Sequence, residues 1–228
     1  MAHLDLEEQE QLDQIKHVWK QYGNLISNVL LVVLLAVAGW NGWQYWQRGE
    51  ATKAAAMYDE FERVAQSGDP ARLDRALADI KDKYASHLYA HQAALLAAKL
   101  YTDAGKTAEA QAALRWVAEK AGDEGYQSLA KLRLAGLQLD AKAYDDALKT
   151  LSGKFPASFE PLADDRRGDV YLAQGQKAQA VEAFNKAFKA MDERTDYRRI
   201  VEVKLIALGA APEAKTGAKT DTKSEGSK

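Results

Sequence analysis

The chain has no cysteine among its 228 residues. That excludes disulfides, thiolate metal sites and cysteine nucleophiles, and it suits an oxidising compartment without requiring one. A surplus of one charge is missing as well: 31 basic residues stand against 33 acidic ones, a formal net charge of −2. Residues 1–20 are net acidic at −3, residues 48–208 are balanced, and residues 209–228 sum to +1. A balanced domain lacks the basic footprint that nucleic-acid binding needs. No segment alternates apolar and polar residues with period two, so no strands are expected. There is no Gly-rich phosphate loop, Gly-x-Ser-x-Gly elbow or His-Glu-x2-His. The chain is therefore not expected to be an enzyme, nor to need a cofactor or a small-molecule substrate.

What is present is one long apolar stretch, Asn24 to Trp46. Between Lys20 and Arg48 no residue is charged, which leaves 27 positions, Gln21 to Gln47, free of the groups most costly to place in hydrocarbon. As a helix, Leu25 to Trp46 would cover roughly 33 Å, close to the thickness of a bilayer core with some tilt. Trp19 and Tyr22 lie before the apolar centre and Trp40, Trp43, Tyr45 and Trp46 after it, where amphipathic rings favour the headgroup layer. A buried core helix is one alternative, but such helices are rarely apolar all round for this length. A cleaved signal peptide is another, since Ala36-Val-Ala38 has the small-x-small form. The leader argues against it, because Asp5, Glu7, Glu8, Glu10 and Asp13 outnumber Lys16 and Lys20 where a signal peptide would be short and basic.

An uncleaved signal-anchor is expected, with an acidic segment at 1–23 and a transmembrane helix at 24–46. The leader reads as helical from Leu6 to Lys20, with Leu12, Ile15 and Trp19 on one face. Lys16 and Lys20 on one flank and Arg48 and Lys53 on the other leave orientation open on charge alone. A short leader before a large domain fits export of that domain.

From residue 48 to 208 the pattern is Ala-rich and amphipathic. Ala54, Tyr58, Phe61 and Val64 share a face, Ser67-Gly-Asp-Pro70 breaks it, and Pro70 suits the first turn of a new helix. Leu73, Ala76, Leu77, Ile80 and Tyr84 form the next stripe. The segments 95–117, 132–154 and 165–187 then repeat one another at spacings of 37 and 33 residues. Ala98, Ala135 and Gly168 coincide, as do Ala110, Ala147 and Ala180, and Leu114, Leu151 and Phe184. Gly105 matches Gly175, and Tyr101 matches Tyr171. A period in the mid-thirties, with small residues where two helices touch and a large one four positions on, is similar to the tetratricopeptide helix-turn-helix repeat. An irregular Ala-rich bundle is the alternative. Residues 51–84 are a divergent first pair, Pro156 and Pro161 bound two units, and Tyr197 to Leu208 is expected to close the array with Ile200, Val203 and Ala207 inward. Residues 209–228 hold too little apolar surface to offset ordering and are expected to be a mobile tail.

The fold class expected is thus all-α, a single transmembrane helix followed by an α-solenoid of paired antiparallel helices. In such arrays the first helices line a concave groove. By repeat position the lining comprises Gln92, Lys99, Thr102, Asp103, Leu129, Gly136, Asp140, Leu162, Asp165, Asp169 and Ala173. Only Lys99 among them is cationic, which argues against a strongly basic clamp. Asp165, Arg166, Arg167 and Asp169 read as a solvated charged face with local ion pairs. His87 and His91 share a helix face, but no motif supplies a third metal ligand.

The acidic leader, the anchor ending Gly39-Trp40-x2-Trp43-Gln44-Tyr45-Trp46, the Tyr58–Val64 helix, and the run Leu162-x2-Asp165-x-Arg167-Gly168-Asp169-x-Tyr171-Leu172-x2-Gln174-Gly175 together carry a further likeness. In that order they resemble the YfgM-type ancillary subunit of the bacterial SecYEG translocon, over residues 1 to about 208. The resemblance implies an inner-membrane protein with a cytoplasmic amino-terminus and a periplasmic repeat domain. It implies as partners the translocon, a PpiD-type membrane-anchored chaperone and exported chains, and it transfers no catalytic residue. A second reading is an envelope-assembly or cell-division scaffold built on the same repeats, with Ala38-x3-Gly42 as a small-x3-small pattern for anchor pairing.

Overall fold

The computed structural model describes residues 6–211 and, from Lys16 onward with Val18 excepted, their side chains. The side chains of Leu12 and Ile15, and the tail from Pro212, lie outside the described residues. Among those residues the chain is entirely α-helical, with α1 (Leu6–Ser67), α2 (Pro70–Lys83), α3 (Leu88–Asp103), α4 (Thr107–Lys120), α5 (Glu124–Asp140), α6 (Tyr144–Leu151), α7 (Glu160–Ala173), α8 (Lys177–Ala190) and α9 (Asp196–Ala207). There are two compact units, residues 1–56 and 57–228.

The first unit holds one apolar helical stretch long enough to cross a membrane. Leu30, Leu31, Val32, Val33, Leu34 and Leu35 are each more than half exposed. Among the described residues of this unit nothing covers them, so the buried-core alternative does not describe this helix. Apolar side chains open on every side around a helix require a non-aqueous surround. Beyond them, Trp40 and Trp43 lie 5.4 Å apart in a tilted pair, and the Arg48 guanidinium donates to Gln44 Oε1 at 3.0 Å.

In the second unit the helices are punctuated by local chemistry. Asp69 caps α2, its carboxylate accepting from the backbone N–H groups of Ala71 at 3.0 Å and Arg72 at 3.2 Å, with Pro70 at the position whose N–H would be unpaired anyway. Asp123 caps α5 through the Tyr126 N–H. Three helix-to-helix turns close alike. The N–H groups of Lys106, Ala143 and Gln176 donate back to the carbonyls of Tyr101, Gln138 and Tyr171 at 2.8, 2.8 and 2.9 Å. Each closure needs a left-handed residue just past the first helix. Gly105 and Gly175 supply it at φ of 73° and 76°, and Lys142 takes the same place at 59°.

α3 packs on α4, α5 on α6 and α7 on α8, and the pairs stack through α4 on α5 and α6 on α7. Ala98, Ala135 and Gly168 are buried at one helix contact, and Ala110, Ala147 and Ala180 at the other. Leu114, Leu151 and Phe184 fill the space between, essentially inaccessible to water, each burial worth about 1.5–3 kcal/mol. The end of α1 joins α2 as a pair ahead of these: Phe61, Leu73, Leu77 and Ile80 share a core with α3 and α4. Ile80 and Leu114, 34 residues apart, are core residues alike, whereas Ala76 is only partly covered where Ala110 is buried.

One expectation is corrected at α9. Val201 and Leu205 face the core with Tyr197 and Leu208, while Ile200, Val203 and Ala207 point outward. The helix has two apolar stripes, and the one that faces inward is flanked by Tyr197 and Lys204, which reach polar partners on α7. Those partners decide the rotation.

Candidate functional site

The first helices of the pairs, α3, α5 and α7, turn one face each toward a common groove of about 560 Å³, to which α9 adds Tyr197. Lys99, Thr102 and Asp103 come from α3, Leu129, Gly136 and Asp140 from α5, and Leu162 from α7. These seven positions, scattered over 64 residues of sequence, meet because a repeat at spacings of 37 and 33 residues returns the same helix face to the same side. Gln92 lies in an adjoining hollow with Tyr58, Leu95 and Leu96, which shares Lys99, Leu129 and Arg133 with the main groove; its amide donates to Tyr126 Oη at 3.0 Å.

Asp165, Asp169 and Ala173 are placed elsewhere. Ala173 ends α7 in the open. Asp165 is 1% exposed, and its two oxygens accept from Lys204 Nζ at 2.8 and 2.9 Å and from the Tyr197 hydroxyl at 2.8 Å. Lys204 also donates to Asp169 at 2.7 Å. Arg167 bridges Asp164 at 2.6 Å and Glu160 at 2.9 Å, and donates to the Leu151 carbonyl that ends α6. The expected solvated face is therefore a covered network that ties α7 to α9 and to α6. The sequence of α7 alone gives no sign that another helix lies over these charges. Burial is the chief influence on Asp169, raising its carboxyl above the usual range. The Lys204 hydrogen bond opposes that and the neighbouring Asp165 charge adds to it. Burial, helped by the bond to Asp165, pushes the Tyr197 phenol up.

Arg133 and Arg166 line the groove too, and sequence reasoning passed over them. The signal was available, since they stand 33 residues apart at one repeat position, the spacing that separates Leu129 from Leu162. They correct the expectation that Lys99 is the sole cation. Three cations now face Asp103 and Asp140, with Lys99 held by Asp103 at 2.6 Å and Arg166 within 3.6 Å of Asp169. Between them lies an apolar floor of Leu129, Leu132, Leu137 and Leu162. A floor of leucines between charges of both signs can take an amphipathic or extended polypeptide, its apolar side chains down and its polar groups at the rim.

His91 is not poised as a ligand. It is buried, its Nε2–H is directed to the Ala85 carbonyl at 3.0 Å, and its ring lies beside Trp116 and Tyr126. His87 occupies the N-cap position of α3.

A family profile for a tetratricopeptide repeat-like domain matches residues 16–210. The ancillary SecYEG translocon subunit of Neisseria gonorrhoeae is 31% identical over 91% of this chain and 99% of its own length. The chain belongs to the ancillary SecYEG translocon subunit family. The proteins of that name from Haemophilus influenzae and Escherichia coli are 30% and 26% identical, each over 80% of this chain and 89% and 88% of their own. No solved structure matches the chain significantly. The family fits the geometry: the repeat-like domain carries a groove, and the apolar helix ahead of it fits a single-pass membrane protein.

Proposed function

We propose that this chain is a membrane-tethered adaptor that associates with the SecYEG translocon and takes segments of exported or partner proteins into its repeat groove. Residues 24–46 anchor it in the inner membrane after an acidic segment at 1–23 on the cytoplasmic side. Residues 48–208 carry the groove on the periplasmic side, and residues 209–228 follow as a tail. In this reading the groove passes emerging chains to folding factors such as a PpiD-type anchored chaperone, and the work is done by location, with no catalytic group. Confinement beside the channel raises the effective concentration of a weak groove to a useful level.

The observation that carries the reading is the convergence of Lys99, Leu129, Asp140 and Leu162 on one apolar-floored groove, in a chain of this family that also bears an exposed membrane-length helix. Photocrosslinking groups placed at Lys99, Arg133 and Asp140 in cells test it. Translocon subunits, nascent exported chains or an anchored chaperone should be trapped. Capture of cell-wall or division proteins instead would replace the adaptor with an envelope scaffold.

A further inference from the structure

The groove holds a charge pattern that its leucine floor does not explain. Arg133 of α5 and Arg166 of α7 occupy one repeat position, and both line it. The Arg166 guanidinium lies against α5, since a Cβ at Gly136 would stand 3.9 Å from its Cζ. Gly136 holds the repeat position that carries Lys99 in α3 and Asp169 in α7, so Arg166 rests where the series has no side chain. Arg133 stands three residues before Gly136, on the same side of α5 and about 4.5 Å along its axis. Two arginine side chains are thus brought to one turn of α5.

Like charges so placed repel unless an anion lies between them, and the nearby acids are otherwise engaged. Arg133 has no ion pair among the described residues. Asp169 approaches Arg166 only to 3.6 Å, beyond hydrogen-bond reach, and is bound to Lys204 at 2.7 Å. Asp103 is held by Lys99 at 2.6 Å, and Asp140 lies seven residues past Arg133, about two helical turns away.

We infer that Arg133 and Arg166 receive the carboxylate of an Asp or Glu side chain in the bound segment, so that the groove selects polypeptide carrying one acid among apolar residues. The inference rests on the reading of the groove as a polypeptide site. A guanidinium presents planar N–H donors that match a carboxylate. The acid belongs inside the segment, not at its carboxyl end, because apolar surface continues on both sides of Arg133. Leu132, Leu137 and Leu162 floor the main groove, while Tyr58, Leu95 and Leu96 line the adjoining hollow, and Arg133 is common to both. A terminal carboxylate held there would leave one of these stretches uncovered.

The test uses the full chain in phosphatidylcholine nanodiscs, titrated calorimetrically with three acetylated peptides and corrected for empty nanodiscs. The first is Gly-Ser-Leu-Ala-Leu-Glu-Leu-Ala-Leu-Ser-Gly with an amidated end, the second has Gln in place of Glu, and the third is the second with a free carboxyl end. The Glu peptide should bind about fivefold more tightly than either Gln peptide. Arg133→Gln and Arg166→Gln should each remove most of that preference, a ratio that a general loosening of the groove does not imitate. Arg133 is exposed, so its variant keeps the test sound if Arg166→Gln disturbs the contact of α5 with α7. The inference is overturned, with the groove reading left standing, if the Glu and Gln peptides bind alike, if both arginine variants keep the preference, or if the free-ended Gln peptide matches the Glu peptide. If none of the peptides binds, the groove reading falls and the inference with it.

Discussion

Gly168 of α7 sits directly against the ring of Phe184 of α8: a Cβ at residue 168 would stand 2.5 Å from Phe184 Cε1. Real atoms cannot approach so closely, and Phe184 is fully buried with no free space to move into. Overpacking of this kind costs about 1–3 kcal/mol, against about 1 kcal/mol of helix propensity regained by replacing glycine. Gly168→Ala should lower the stability of the repeat domain by up to about 2 kcal/mol, read from the urea midpoint of the full chain in detergent. A midpoint at or above wild type would show that the α7–α8 contact yields more easily than its geometry implies.

Lys142 pays a conformational cost that its counterparts Gly105 and Gly175 avoid, since all three hold positive φ in the same turn. A left-handed conformation costs a non-glycine residue about 1–2 kcal/mol, and the extra freedom of glycine in the unfolded chain takes back about 0.4–1 kcal/mol. Lys142→Gly should therefore stabilise by about 0.5–1 kcal/mol, and Gly175→Ala should destabilise by about 1 kcal/mol. The pair of melting curves checks both signs together.

The Asp165–Lys204–Asp169 network predicts an unequal response to losing each carboxylate. Removing Asp165 leaves Lys204 half-paired beneath α9 and should cost about 3 kcal/mol. Asp169 behaves differently, because its carboxyl is raised by burial above its ordinary 3.8. The folded chain then holds that proton more tightly than the unfolded chain. The stability it contributes is present when it is protonated, and is lost as pH rises from 3.8 through the raised value. Asp169→Asn should flatten this part of the stability profile, measured by urea unfolding from about pH 4 to about pH 7. A profile identical to wild type would remove Asp169 as its source.

His91 should act with the opposite sign. Burial lowers its pKa below 6.5, outweighing the bond to Ala85, which raises it. Its contribution is therefore present above pH 6.5 and lost as pH falls toward the lowered value, because the unfolded chain takes up the proton first. His91→Phe should remove this acid-side loss at a cost of about 1 kcal/mol for the unpaired Ala85 carbonyl. Unfolding midpoints on either side of pH 6.5 test the difference.

Local features were read correctly wherever their cause is local. The helix start at Pro70, the matching Gly105 and Gly175, and the small residues at 98, 135 and 168 each answer to forces within one turn or one helix pair. So does the apolar run before Trp46, because length and absence of charge are properties of the chain itself. Periodicity went further and brought Lys99, Leu129, Asp140 and Leu162 into one groove, since a regular repeat carries its geometry in its spacing.

Tertiary packing settled the remainder. Asp165 and Asp169 resemble surface charges until α9 lies over them, and no spacing within α7 announces a lysine 39 residues away. α9 itself has two apolar stripes of comparable strength, Val201 with Leu205 and Ile200 with Val203. Amphipathicity cannot choose between such stripes. The choice falls to the Lys204 ammonium and the Tyr197 hydroxyl, whose partners exist only after the helices have packed, because a buried charge must find its counter-charge or stay in water.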